Sequence, residues 1–385
     1  MNLMLQLRAP LAELGWETTV LMPTGSAARD RLVEGGVPVV TMPLHRVRRS
    51  SDPRLHLDFL RRFGPEVAGV RRLMSEARID VVINGALENP HGALAGHLRR
   101  LPVVWQIVGT QTPIAMRKAM MPVIRSVADV VMPSGLRVAE QHPGALEFGD
   151  RLFPFYFPAD AEHFRPDPER RESARAELSL AADDLVIGNV SNFNPQKGHE
   201  YFLRAAAEVR KVRPEVRFVL LGGSHDTHVD YERRLWEEAA ALGLRLGDEL
   251  IVRNPGARVA ELAPAFDIFW QASVPRSEGA PTVISEAMAM GLPVVATDAG
   301  SIRELVDDGV SGFVVPPLRP DAMANATRPL LDDQARRERL GQAGREIAVH
   351  RFTPAVIAQT HVDAFEAAIV HRRERRYWSS EGSRT

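Results

Sequence analysis

Short apolar runs alternate with longer amphipathic stretches from one end of the chain to the other, the pattern of parallel sheets covered by helices. In the first half Thr18–Met22, Val37–Met42, Val81–Asn84, Val103–Val108 and Asp129–Pro133 read as strands. In the second half Leu185–Val190, Arg217–Leu221, Leu250–Arg253, Asp267–Gln271, Pro293–Thr297 and Gly312–Val315 do so. The expected class is therefore α/β, with two Rossmann-like, doubly wound sheets. A chain of 385 residues also exceeds the usual size of a single core. The aromatic, proline-rich stretch RLFPFYFPADAEHFRPDP, residues 151–168, reads as neither strand nor helix and places the hinge. This gives an N-terminal domain over 1–157 and a C-terminal domain over 158–354. A helix over 355–371 is expected to pack back on the first domain, and the charged, then Ser/Gly-rich residues 372–385 to form a flexible tail.

Composition removes several function classes. Hydrophobic residues make up 45% and charged residues 25%, as in globular enzymes, and no apolar run approaches the ~18 residues that span a bilayer. With 48 basic and 49 acidic residues, nothing points to nucleic acid. Zero cysteines exclude disulfides and thiolate metal sites, and residues 1–10 lack a charged segment followed by an apolar core, so the default compartment is the cytoplasm. Only Lys118, Lys197 and Lys211 are lysines among the basic residues. Lys197 is followed by Gly198 in a turn, where a compact charge can meet phosphate oxygens and glycine lets the backbone come close. Lys197 is the first choice for a diphosphate contact, although a lysine in such a place is by itself an ordinary loop residue.

The densest chemical signal lies at residues 276–298, RSEGAPTVISEAMAMGLPVVATD. Glu278 and Glu286 bracket a turn that opens a helix. Pro281 suits a first helical position, and Gly279, Ala280, Thr282 and Val283 surround the orphan N–H groups of the helix start, a ready anion site. Glu286 falls one turn into the helix on the face of Thr282. Such a site suits a nucleotide sugar, whose phosphates need N–H donors and whose hydroxyls need strong acceptors. Either glutamate alone reads more naturally as an acidic residue at a helix start or on a solvated face; the whole segment does not.

Glu278, Glu286 and the residues between and after them, EGAPTVISEAMAMGLPVVAT, resemble the E-x7-E signature of the retaining glycosyltransferases of family 4, which have the two-domain GT-B fold. Upstream, IGNVSNFNPQKGHEYFLRAAAEV and RFVLLGG resemble that family's Lys-Gly turn and its next strand and glycine turn; downstream, SIRELVDDGVSGFVVPP resembles its segment after the donor site. The likeness covers most of residues 185–370 closely and the N-terminal portion loosely. It implies two domains facing a cleft and a hexosyltransferase-type activity on a nucleoside diphosphate sugar, without a metal or other cofactor. It also implies that Glu278 holds donor-sugar hydroxyls, that Glu286 holds ribose hydroxyls, and that Lys197 and Gly279 to Val283 meet the diphosphate. The acceptor it leaves open is a small molecule, lipid or glycan; peripheral membrane contact stays open and no protein partner is indicated.

Three features depart from the family pattern. Asn192 stands where an arginine is usual, five residues before Lys197, and can donate hydrogen bonds but brings no charge. Val108 stands where a histidine is common, at the end of PVVWQIVG. Family members begin with a strand and a glycine-rich loop, whereas residues 1–14 already read as the first helix, stopped by Gly15. The N-terminal sheet is thus expected to lack its first, central strand, either because the start codon is placed too late or because part of the domain is lost. These departures motivate an alternative: a non-catalytic GT-B-fold protein that binds a nucleotide sugar or partners an active glycosyltransferase. A nicotinamide-dependent enzyme has little support, since no G-x-G-x-x-G follows a strand.

In open α/β sheets ligands sit beyond the carboxyl ends of strands. That rule makes Asn84, Glu88, His91, Gly109 and Gln111 acceptor-side candidates in the first domain, each equally readable as a cap or loop residue. It makes Asn192, Lys197 and Gly198 donor-side candidates in the second. The HDTH run, residues 225–228, reads as a polar loop rather than a metal site.

Overall fold

The computed structural model describes residues 2–46, 53–85, 87–224 and 228–381. The chain divides into two compact units, Met1–Tyr156 with Pro354–Thr385, and Phe157–Thr353. All eleven expected strands are present, each within two residues of its expected ends. They are β1 (Val20–Pro23), β2 (Val39–Met42), β3 (Val82–Asn84), β4 (Val103–Ile107), β5 (Val130–Pro133), β6 (Val186–Val190), β7 (Arg217–Leu221), β8 (Leu250–Arg253), β9 (Ile268–Gln271), β10 (Val294–Thr297) and β11 (Gly312–Val315).

In the Phe157–Thr353 unit the sheet runs β11-β10-β9-β6-β7-β8 and every pair is parallel. Strands β6, β9 and β10 are buried along their whole length, as expected where helices cover both faces. Below them Phe202, Phe218 and Trp270 form an aromatic cluster, with Phe202 and Trp270 centroids 5.2 Å apart. Each fully buried aromatic side chain contributes roughly 1.5–3 kcal/mol by leaving water. Trp270 keeps its indole N–H satisfied by donating to Thr327 Oγ1 at 2.9 Å. At the amino ends of β6 and β9, Asp267 accepts from Arg171, from buried Arg175 at 2.8 Å and from the Val186 amide at 2.8 Å. This knot fastens the helix Pro168–Glu177 to the end of the sheet away from the candidate site.

The other unit holds two separate sheets, β1-β2 and β3-β4-β5, all parallel. The chain enters as the helix Asn2–Glu13, ended by Gly15 at φ 83°, so no described strand precedes β1. A doubly wound sheet would place such a strand between β1 and β3. Here those two strands belong to separate sheets, and Leu21 of β1, Met42 of β2 and Val82 of β3 share one apolar cluster with Val67 and Val70. Leu3, Leu7 and Leu11, spaced one turn apart, give the first helix its buried stripe, and Trp16 meets Phe365 of the last helix edge-on at 4.9 Å.

That last helix corrects one expectation. The sequence predicts a flexible tail over 372–385, but the helix spans Pro354–Glu381; residues 382–385 lie outside the described residues. Within it Arg372 is buried and donates through Nε to Asp129 Oδ2 at 2.9 Å. Asp129 also accepts from the Val103 amide, so the helix is tied to the edge of β4. Among the described residues no helix is long and apolar enough to cross a membrane.

Candidate functional site

Strands β6 and β9 are neighbours, and the strand order reverses between them. The loops leaving their carboxyl ends therefore open onto the crevice where doubly wound sheets bind ligands. The loop after β6 lies directly on the loop after β9. Val274 N donates to the Gln196 carbonyl at 3.1 Å. Gly198 has φ 65°, and a Cβ there would stand 2.1 Å from the Ala272 carbonyl, so only glycine fits. This close approach brings Lys197 Nζ to 2.7 Å from Glu278 Oε1. A third loop, after β10, closes on the same segment: Ser301 N donates to the Gly279 carbonyl at 2.8 Å, and Thr297 Oγ1 to the Ser273 carbonyl at 2.6 Å.

Glu278 is 5% exposed, while the Lys197 side chain is 24% exposed, so the pair presents its cation and hides its anion. The helix that follows is Thr282–Ala289. Pro281 stands just before it in an extended conformation, φ −70° and ψ 121°, rather than at the first helical position the sequence suggests. The amides of Thr282 and Val283 occupy the first turn, where helix geometry supplies no carbonyl, and Ala280 is buried behind them. Glu286 lies one turn further on, half-buried, and desolvation pushes its pKa up to about 7. Asn192 is exposed at the carboxyl end of β6, and Gly279 lends its carbonyl to Ser301.

Behind Glu278 runs a set of polar residues, all buried except the half-buried Ser191, that the sequence reading did not single out. Ser273 Oγ donates to Glu278 Oε1 at 2.6 Å, and Gln271 Nε2 donates to Ser273 Oγ at 2.8 Å. Asn189 Nδ2 donates to Gln271 Oε1 at 3.0 Å, and Ser191 Oγ to Asn189 Oδ1 at 2.5 Å. His199 Nε2 lies 2.9 Å from Ser191 Oγ. Burial, with the nearby Lys197 charge, pushes the His199 pKa down to about 3, so this imidazole is neutral. The available signal was the presence of polar residues inside two otherwise apolar strands, which is costly unless they are hydrogen-bonded.

The acceptor-side candidates all belong to the other unit, at the carboxyl ends of β3 and β4. Asn84 Oδ1 accepts from the Ala93 amide at 3.2 Å, in the first turn of the helix His91–Leu98. Glu88 accepts from Thr112 Oγ1 at 3.2 Å. His91 is buried, with Nε2 3.0 Å from Glu66, Nδ1 2.5 Å from Asn89 and its ring edge-on to Phe59 and Phe63. Burial lowers its pKa in spite of Glu66. Gly109 and Gln111 follow β4, with Gln111 exposed. Val108 is exposed and its carbonyl accepts from Ser134 Oγ at 2.6 Å. Of the HDTH run, His225, Asp226 and Thr227 lie outside the described residues.

Comparison with known proteins gives this geometry its family. Residues 170–347 match the family described as glycosyl transferases group 1, and residues 3–141 match the glycosyl transferase 4-like domain. The chain is 32% identical over 307 residues to the GDP-mannose-dependent alpha-(1-6)-phosphatidylinositol monomannoside mannosyltransferase of Mycolicibacterium smegmatis, covering 75% of this chain and 77% of that one. It is 33% identical over 217 residues to a D-inositol 3-phosphate glycosyltransferase of Stackebrandtia nassauensis, covering 55% of this chain but only 48% of the relative, so it spans about half the length of that protein. Among solved structures, Anabaena HepE in complex with UDP superposes with a TM-score of 0.78 at 23% identity, covering 94% of this chain and 96% of that one. A sucrose-phosphate synthase from Thermosynechococcus elongatus superposes at 0.71, with 22% identity over 94% of this chain and 91% of that one, so the GT-B fold is common to all three. With both halves matched and a relative above 30% identity covered over most of its length, the chain belongs to the family 4 glycosyltransferases.

Proposed function

We propose that this chain is a retaining glycosyltransferase that moves a sugar from a nucleoside diphosphate donor to an acceptor hydroxyl. The observation that carries the reading is the meeting of Lys197 and Glu278 at the reversal point of the sheet, beside a helix start and with Glu286 one turn in. In the transfer the bond from the anomeric carbon to the phosphate oxygen breaks and its electron pair leaves with the diphosphate. The acceptor oxygen bonds to that carbon and gives up its proton to the departing phosphate.

Negative charge grows on the diphosphate, so fixed donors aimed at it lower the barrier more than they aid ground-state binding. Lys197 and the amides of Gly279, Ala280, Thr282 and Val283 are assigned to that charge, assisted by Asn192 and with no metal ion in the scheme. Glu278 is assigned to hydroxyls of the donor sugar and Glu286 to those of the ribose. Gly198 allows the Lys197 turn to sit against the Glu278 loop. Asn84, Glu88, His91, Gly109 and Gln111 remain assigned to the acceptor side as an untried set. The name of the mycolicibacterial relative specifies GDP-mannose, whereas HepE has been crystallised with UDP-glucose, so donor base and sugar are to be settled on this chain itself.

The deciding experiment is a thermal-shift screen with UDP, GDP, ADP and dTDP sugars, since a ligand that binds only the folded state raises its stability. The stabilising donor is then incubated with candidate acceptors and the anomeric configuration of the product read by NMR. A donor that binds but is never transferred would favour a non-catalytic, nucleotide-sugar-binding protein.

A further inference from the structure

The five hydrogen bonds behind Glu278, three of them buried and the two at Ser191 part-buried, share one direction. A carboxylate can only accept, so Ser273 Oγ must spend its proton on Glu278 and receive from Gln271 Nε2. Gln271 Oε1 then receives from Asn189 Nδ2, and Asn189 Oδ1 from Ser191 Oγ. Ser191, its proton already spent, receives from His199 Nε2. Along this series each bond is donated in the direction of Glu278, while Asn189 Nδ2 also donates to the Trp270 carbonyl at 2.7 Å. Bonds ordered head to tail polarise one another, and in this dry interior the effect ends on a single anion.

The chain also closes on itself. His199 lies two residues beyond Lys197, whose ammonium donates to the same Glu278 oxygen at 2.7 Å. The turn between them, Gly198, is locked against the Ala272 carbonyl. Glu278 is therefore gripped from one side by Lys197, which is partly exposed, and from the other by Ser273, which is fully buried. A lysine that turns to a diphosphate must share or leave its carboxylate partner. When the lysine turns away, the buried carboxylate depends on the donors that remain, Ser273 Oγ at 2.6 Å and Gln271 Nε2 at 3.5 Å.

Resting on the donor-site reading above, we infer that Ser273 and Gln271 are positioning residues that keep Glu278 fixed on the donor sugar while Lys197 engages the departing diphosphate. They act through Glu278 and touch no ligand themselves. Ser273 governs turnover and not diphosphate affinity, two quantities that a general structural role would move together.

The test compares Ser273→Ala, Ser273→Thr and Gln271→Met with the unaltered full chain. Steady-state transfer is measured at saturating nucleotide sugar, and binding of the matching free nucleoside diphosphate by calorimetry. Ser273→Ala is expected to lower kcat roughly ten- to a hundredfold, the worth of one hydrogen bond to a charged group, with nucleoside diphosphate affinity changed less than about threefold. Ser273→Thr keeps the hydroxyl and is expected to recover most of kcat. Gln271→Met, of similar volume, cuts the chain one bond further back and is expected to fall between them. Wild-type kcat in both Ser273→Ala and Gln271→Met overturns the inference while leaving the donor site standing. So does a parallel loss of kcat and diphosphate affinity in Ser273→Ala that Ser273→Thr fails to restore. If the unaltered chain binds no nucleoside diphosphate, the donor-site reading falls and this inference with it.

Discussion

Lys197 and Glu278, 81 residues apart in sequence, share a 2.7 Å ion pair at the carboxyl ends of adjacent strands β6 and β9. The pair changes what Lys197→Ala should do. A turn lysine in isolation contributes little to folding, but this one neutralises a buried carboxylate, and removing one partner of such a pair exposes the cost of burying the other. Lys197→Ala is expected to lower nucleoside diphosphate affinity about ten- to a hundredfold and stability by about 1–3 kcal/mol. Lys197→Arg should restore charge but only part of the affinity, because the planar fork does not reproduce a point charge. Calorimetry and urea unfolding of both variants check this, and Lys197→Ala in a Glu278→Gln background should recover the stability but not the affinity.

Glu278→Gln and Glu286→Gln are expected to fail differently. Glu278 faces the reacting sugar in the proposed scheme, so its loss should act mainly on kcat. Glu286 is assigned to the ribose, so its loss should act mainly on donor affinity, by about 1–3 kcal/mol. Steady-state kinetics at varied donor concentration separate the two, and unchanged kinetics in both would remove the assignment.

The desolvated Glu286 also makes a pH prediction. Its folded pKa, about 7, lies above the ordinary glutamate value of 4.5, so between these values the native state holds a proton that the unfolded state has released. Stability should then fall as pH rises from about 4.5 to 7, by up to about 3 kcal/mol from this group, and level off above 7. Glu286→Gln should flatten that slope and be the more stable protein at pH 8. Donor affinity should move the other way, rising through pH 7 as the carboxylate forms. Thermal melts of both proteins across this range decide the matter.

How much of this was legible depends on whether the information is local. The strands announce themselves because both faces of a parallel sheet are buried, so runs such as Val186–Val190 and Val294–Thr297 are apolar throughout or nearly so. The E-x7-E segment is equally local, since a turn, a helix start and two carboxylates are consecutive. The direct contact of Lys197 with Glu278 is not, because it follows from β6 lying beside β9, which no short window states. Ser273, Gln271 and Asn189 look like ordinary strand-end polar residues until the sheet stacks them into one chain. Arg372 is similar: within a charged tail it reads as solvated, yet it is buried against Asp129 inside the helix Pro354–Glu381.

Asn192→Arg offers a gain-of-function test on the donor side. Asn192 is exposed at the carboxyl end of β6, in the loop that carries Lys197, so a longer cation there meets no packed core. If the loop keeps its geometry, an added guanidinium should tighten nucleoside diphosphate binding about three- to tenfold at low salt, and less at high salt where exposed charges are screened. Calorimetry at two ionic strengths would show it; unchanged affinity at both would mean that position 192 does not face the phosphates.

Gly300→Ala probes the site without altering any group assigned to the ligand. Gly300 has φ 55°, and a Cβ built there would stand 2.4 Å from the Gly279 carbonyl and 2.6 Å from that of Glu278. Both atoms are backbone, so the clash can be relieved only by shifting the Glu278–Gly279 peptide or the loop after β10. A shift would disturb the Ser301 N–H bond to Gly279 and, with it, the aim of the Glu278 carboxylate and the first amides of the helix Thr282–Ala289. Misplacement of catalytic groups by about 1 Å can cost about a hundredfold in rate. Gly300→Ala is therefore expected to fold, with a stability loss of about 1–3 kcal/mol from strained backbone, yet to lose both donor affinity and turnover. Gly309, also at positive φ, 79°, has open space around its Cβ position and serves as the control. Gly309→Ala should show a comparable backbone penalty in unfolding experiments while sugar transfer stays at the wild-type rate.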